Sequence, residues 1–272
     1  MLLFRPVPSD ILMRPFEERS IVCAFHDIDG THSLIRDWPP VMSVVLDYAE
    51  KNGVPEGYDS PEAVDRVSRL AGTKPLPVTD RFCVESAGLS ALTQMEWALR
   101  RAVEAGTVVV PCDRAVNREK IERIWQGEEL FPELPDTPEM TSFLAYHTPR
   151  LFRFYEQVLN HYCRDKNLTA ACLHPERFRV PGSMAFMSFL HDYGVKNYFV
   201  TGAVVEKGMG MHEETVTLGY DIGPGRVVED IIGSTWEDKM PKDVIMEQLK
   251  QKLGLKGSQL LIVGDGRSEI SA

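Results

Sequence analysis

Three short apolar runs stand out along the chain, each closed by a polar turn. Ile21-Val22-Cys23-Ala24-Phe25-His26 leads into Asp27-Ile28-Asp29-Gly30. Asn197-Tyr198-Phe199-Val200 leads into Thr201-Gly202, and Gln259-Leu260-Leu261-Ile262-Val263 leads into Gly264-Asp265. Short apolar runs with β-branched residues, bounded by turn formers, predict buried strands. Helical periodicity precedes the second and third runs. One helix is expected at about 183–193. Another has Pro241 near its first turn and Val244, Ile245, Leu249 and Leu253 at helical spacing. Alternating helix, turn and strand predicts an α/β fold, with a parallel sheet covered by helices.

The middle of the chain reads differently. From Ser33 to about Val180 the pattern is mostly helical, broken by loops that carry prolines. Leu89–Ala105 and Thr148–Cys163 are the clearest helices. Glu128–Glu139, acidic and proline-rich, is expected to be an exposed connector. Residues 213–232 read as two strands around the Gly223-Pro224-Gly225 turn.

In open parallel sheets, ligands bind outside the carboxyl ends of the strands. Asp27, Asp29, Thr201 and Asp265 all fall at such ends, far apart in sequence. Strand alternation puts the Asp27 and Asp29 side chains on one side and sends Ile28 to the other. Two carboxylates that close need a cation or a shared proton. Magnesium, hard and oxygen-seeking, suits them. Gly30 lets the backbone turn sharply and a ligand approach. His26 is expected to pack near the sheet and His32 to sit at the mouth of the site. A zinc or manganese site on these histidines is the weaker alternative.

Composition narrows the function classes. At 272 residues the chain has ample length for a core without disulfides. Its 43% hydrophobic and 26% charged content excludes disorder as the main state. A net charge of −10, with no Lys/Arg block, disfavours nucleic acid as a partner. No run approaches the roughly 20 apolar residues of a membrane span. The five cysteines are odd in number and form no Cys-x-x-Cys pair, which favours a reduced, cytoplasmic protein.

The ordered motifs carry a family resemblance. Asp27-Ile28-Asp29-Gly30-Thr31 after an apolar strand resembles the first motif of the haloacid dehalogenase superfamily of phosphohydrolases. Thr201-Gly202 resembles the second, and Lys239, just before Pro241 and its helix, the third. Lys242, inside the first turn of that helix, competes with Lys239 for the role. Gly264-Asp265-Gly266-Arg267-Ser268-Glu269 resembles the fourth. The resemblance implies a Rossmann-like parallel-sheet core and two-step phosphoryl transfer. Asp27 would be the nucleophile and Asp29 the acid and base. Thr31, Thr201 and Gly202 would hold the phosphoryl group, and Lys239 would balance charge. Mg²⁺ would be bound by Asp27, Asp29 and Asp265, with Glu269 acting directly or through water.

An acid at Asp29 points to phosphatase chemistry. A phosphomutase using the same pair is the alternative, and a catalytically weak scaffold or phosphate sensor is a third reading. The long gap from Thr31 to Thr201 implies a helical cap inserted in the core. Residues 1–32 and 181–272 would form the core and 33–180 the cap. Caps of this kind favour small phosphorylated metabolites, because a lid excludes bulk water and large substrates. Within the cap, Gly72-Thr73-Lys74-Pro75 resembles a substrate-contacting loop, with Lys74 facing an anionic group. The sequence closes a few residues after Asp265, where such a core normally continues with a helix and a strand. Either a naturally short core or a truncated one is expected, and a homodimer is one way to cover the open edge.

Overall fold

The computed structural model describes residues 20–87, 89–235, 242–264 and 269. Strand β1 spans Cys23–His26. Helices α1 (Trp38–Asn52), α2 (Pro61–Ser68), α3 (Pro77–Glu85), α4 (Ala91–Ala105), α5 (Arg114–Trp125) and α6 (Pro138–Leu159) follow. A π-helical turn, Asn160–Arg164, joins α6 to α7 (Asp165–Leu173). Then come α8 (Ser183–Asp192), β2 (Lys196–Glu206), α9 (Gly210–Thr217), β3 (Val228–Ser234), α10 (Lys242–Lys252) and β4 (Leu260–Val263).

The four strands are parallel, in the order β3-β2-β1-β4. Pairing runs from Cys23 opposite Lys196 and Leu260 to His26 opposite Phe199 and Val263. Alternation sorts the side chains onto two faces. Cys23, Phe25, Tyr198 and Val200 pack with Ile245, Met246 and Leu249 of α10. Ala24 packs with Leu190 of α8, while Phe199 meets Met187 of α8 and Met211 of α9. Helices therefore cover both faces. The sheet is the predicted α/β core, and the block of helices between β1 and β2 is the predicted insert. This is the architecture that the haloacid dehalogenase resemblance implies.

The insert has its own apolar centre, built from α1 to α6. Phe82 stacks on Trp97 at 3.8 Å between ring centroids, and Trp125 closes the cluster at 5.5 Å from Trp97. Its connector is less free than the sequence suggests. Asp136 takes two bonds from Arg100, at 3.0 and 2.6 Å, and one from Lys120 at 2.6 Å. Arg100 is 1% exposed. Truncating one partner of a buried ion pair leaves the other charge poorly compensated. Arg100→Ala is therefore expected to lower stability by about 3–5 kcal/mol, read by urea unfolding. A loss under about 1 kcal/mol, the scale of an ordinary surface change, would contradict it.

Two sequence expectations fail locally. Residues 213–217 are helical, not a strand. The β-branched residues there favour extended backbone, but Met211, Thr215 and Leu218 recur at helical spacing and are buried. The helix predicted from Thr148 begins instead at Pro138, capped by the Thr137 side chain. It continues through Pro149, which lies inside the helix. Leu168 and Ala171 near the end of the insert pack with the sheet's residues Ile28 and Phe199. No described helix is long and apolar enough to cross a membrane.

His32 is not at the mouth. The Ile28 carbonyl accepts from the amides of Thr31, His32 and Ser33, folding the turn back under the sheet. His32 lies there, 1% exposed, with its Nε2 3.1 Å from His26 Nδ1. His26 Nε2 is 3.0 Å from Asn197 Oδ1. Burial pushes His26 down to about 4 and His32 to about 3. The unfolded chain takes up these protons near pH 6.5, whereas the folded pair refuses them. This stabilisation is complete above about pH 6.5 and is lost as pH falls toward 4. His26→Gln removes one titrating ring. The stability of wild type relative to His26→Gln is expected to fall by roughly 2 kcal/mol between neutral pH and about pH 4.5. Parallel urea curves across that range would contradict it.

Candidate active site

The sequence pattern of β1 sets the geometry. The Asp27 amide donates to the Val263 carbonyl at 2.8 Å, extending the β1–β4 ladder by one residue. Ile28 then turns into the core with 0% exposure. Asp27 and Asp29 are left on the open side, at the carboxyl end of the sheet. Gly30, at φ 78°, makes the turn that follows, a conformation in which a Cβ would be strained.

Asp27 and Asp29 have different partners. Lys242 Nζ donates to Asp27 Oδ1 at 2.6 Å and also bonds Glu269. Burial raises the Asp27 carboxyl, and the Lys242 charge and hydrogen bond pull it back down. Lys242 is the first residue of α10, where the helix dipole alone would disfavour a cation. The two carboxylates more than offset this, as they do the cost of its burial, so its ionisation is raised. Asp29 has no such contact. Its Oδ1 is enclosed and makes no hydrogen bond among the described residues. Burial raises the Asp29 carboxyl well above the usual range, Arg36 opposes, and Glu214, Asp27 and Glu156 push it further up.

Thr201 and Gly202 of β2 complete this floor. Thr201 is 3% exposed, and its Oγ1 accepts from the Ala203 amide at 3.1 Å, leaving the O–H to donate. A Cβ at Gly202 would lie 3.3 Å from the Leu89 carbonyl, so glycine lets the helical insert come close to the sheet. Asp27, Asp29, Thr201, Gly202 and Lys242 line one cavity of about 540 Å³. Its roof comes from Trp38, Met42, Leu89, Gln94, Phe152 and Tyr155.

Some expected site residues lie elsewhere. Thr31 is next to the turn but does not line the cavity, and its buried Oγ1 has no partner among the described residues. Lys74 is exposed on the loop between α2 and α3, away from the lining. Lys239 and Asp265 lie outside the described residues.

Sequence reasoning missed Arg36, whose side chain is only 5% exposed. Its Nε donates to Glu214 Oε1 at 2.5 Å and its Nη1 to Glu156 Oε1 at 3.0 Å. Arg164, set by the π-helical turn, donates to the same Glu214 oxygen at 2.7 Å. The network ties the segment after β1 to α6 and α9. Gln94 and Tyr155 were missed too. Their only local signal is a polar group on the apolar face of a helix.

The donors around Asp27 fit a hard cation in kind. They are oxygens, one of them is orphaned, and Asp27 and Glu269 outnumber Lys242 in charge. Among the described residues no three acidic, His or Cys groups converge on a point.

No family model matches the chain, and no curated protein matches it. Solved structures with similar architecture include a proposed phosphoglycolate phosphatase from Lactobacillus delbrueckii subsp. bulgaricus. It is 14% identical, with a TM-score of 0.45 over 92% of this chain and 81% of that one. A predicted phosphoglycolate phosphatase from Haemophilus somnus is 15% identical, with a TM-score of 0.40 over 92% and 79%. A hydrolase from Pseudomonas syringae is 14% identical, with a TM-score of 0.39 over 91% and 78%.

Proposed function

We propose that the chain is a phosphohydrolase of the haloacid dehalogenase superfamily that removes phosphate from a small phosphorylated metabolite. One observation carries the reading. Two carboxylates share the carboxyl end of β1, and a buried lysine touches only the first. Lys242 favours the charged form of Asp27, as a nucleophile requires. Burial and three neighbouring carboxylates favour the protonated form of Asp29, as a general acid requires.

Asp27 attacks phosphorus and forms an aspartyl-phosphate, while Asp29 gives its proton to the departing alkoxide. Asp29, now charged, takes a proton from the water that hydrolyses the intermediate. The Thr201 hydroxyl and the Gly202 amide hold the phosphoryl oxygens, and Lys242 offsets the charge where two anions meet. Asp27, the Asp29 carbonyl, Asp265 and Glu269 would hold Mg²⁺. A bound divalent cation supplies further charge screening between phosphate and carboxylates. The cap roof excludes water from the intermediate.

The test is phosphate release from a panel of small phosphate esters, with Mg²⁺ and with EDTA. Turnover of at least one ester that disappears in EDTA is expected. Absence of turnover across the panel, p-nitrophenyl phosphate included, would overturn the reading.

A further inference from the structure

The roof of the cavity specifies what the phosphate is attached to. Gln94 and Tyr155 stand on cap helices α4 and α6 and line the cavity, each only 4% exposed. Gln94 Nε2 donates to Ser86 Oγ at 2.9 Å and to the Ser86 carbonyl at 3.4 Å. A carbonyl can only accept, so the amide orientation is set and Oε1 is the free end. Neither Gln94 Oε1 nor the Tyr155 hydroxyl has a hydrogen-bond partner among the described residues, and neither is a sealed atom. Both groups are therefore open to the cavity, where a bound molecule's polar atoms can reach them. Two largely buried side chains thus present an acceptor and a hydroxyl to the same cavity.

The charges on that roof are already spent. Arg36 is committed to Glu214 and Glu156. Lys242 is held on the phosphate side by Asp27. The exposed Asp37, at the rim, adds a carboxylate. Among the described lining residues no cation is left to meet a second anionic group on the substrate. Trp38 and Met42 supply apolar wall for a carbon chain.

We infer that the leaving alcohol is a neutral, hydroxyl-bearing one, whose free hydroxyls donate to Gln94 Oε1 and exchange a hydrogen bond with the Tyr155 hydroxyl. This rests on the phosphatase reading above. It makes Gln94 and Tyr155 specificity residues, and it places carboxylate-bearing esters among the poor substrates. A site built to bond a hydroxyl rejects the analogue lacking it, because its own buried groups are then left unpaired.

The experiment uses three phosphate esters of equal chain length: glycerol phosphate, propyl phosphate and the phosphate ester of hydroxypropionate. In the wild-type protein kcat/KM for glycerol phosphate is expected to exceed that for either other ester by at least about tenfold. Tyr155→Phe and Gln94→Met are each expected to shrink the glycerol-to-propyl ratio by at least about threefold. A purely structural role would lower both esters together and leave the ratio unmoved. Equal or better turnover of propyl phosphate or of the carboxylate ester overturns the inference, and so does an unchanged ratio in both variants. The wild-type comparison decides even if Gln94→Met fails to fold. No turnover of any ester, p-nitrophenyl phosphate included, is a different outcome: it overturns the phosphatase reading and the inference with it.

Discussion

Asp27→Asn is expected to lower phosphate release by at least about 10⁴-fold, the scale of removing a nucleophile from a catalytic unit. The amide keeps the shape of the side chain and an oxygen for the Lys242 ammonium, which now lies 2.6 Å from Oδ1. It cannot serve as the nucleophile, because the neutral amide oxygen lacks the negative charge that makes a carboxylate oxygen attack phosphorus. Folding should survive. Burial already penalises the Asp27 charge, so a neutral group of the same size removes a cost as well as a contact. The expected result is an inactive protein whose thermal midpoint in EDTA is equal to or above that of wild type. Retention of more than about a tenth of wild-type kcat would exclude Asp27 as the nucleophile. A large fall in the midpoint would mean that the charge is structural.

The strand ends were legible because their signals are local. An apolar run followed by Asp-x-Asp-Gly needs no distant contact to declare a buried strand and its turn. Asp27, Thr201 and Gly202 could be placed that way. Glu213 to Thr217 could not: their β-branched residues argue for a strand, and only burial of Met211 and Thr215 against the core selects a helix. His32 went astray for a similar reason. Three amides converging on the Ile28 carbonyl reverse the chain within a turn, and no periodicity reports that. Arg36 meets Glu156 from 120 positions away and Glu214 from 178, so its network has no sequence pattern at all. That a helical block lies between β1 and β2 was legible from the length of the gap, while the identity of the residues it contributes to the cavity was not. Gln94 reads as one polar residue in an apolar helix face until the cavity beneath it is seen.

In the proposed mechanism two lysines are candidates for balancing charge, and only Lys242 lies among the described residues. Lys239 and Lys242 differ by three positions, and a lysine ahead of a helix has the longer reach on paper. At the first residue of α10, however, the Lys242 side chain is 3% exposed and spans Asp27 and Glu269. Lys242→Met fills the same volume without the charge. Two carboxylates then face each other across an apolar group, and the Asp27 carboxyl, already raised by burial, loses the cation that lowers it. Its ionised fraction shrinks first at low pH. Loss of kcat/KM should therefore be greatest on the acid side, and the acid limb of the profile should move to higher pH. At the optimum the loss is expected to be on the order of 10²–10³-fold, as for removal of one preorganised charge at a transition state. Lys239→Met, measured beside it, is expected to cost less than about tenfold and to leave the limb in place. An equal or larger loss in Lys239→Met, or a Lys242→Met profile parallel to wild type, would give the role to Lys239 instead.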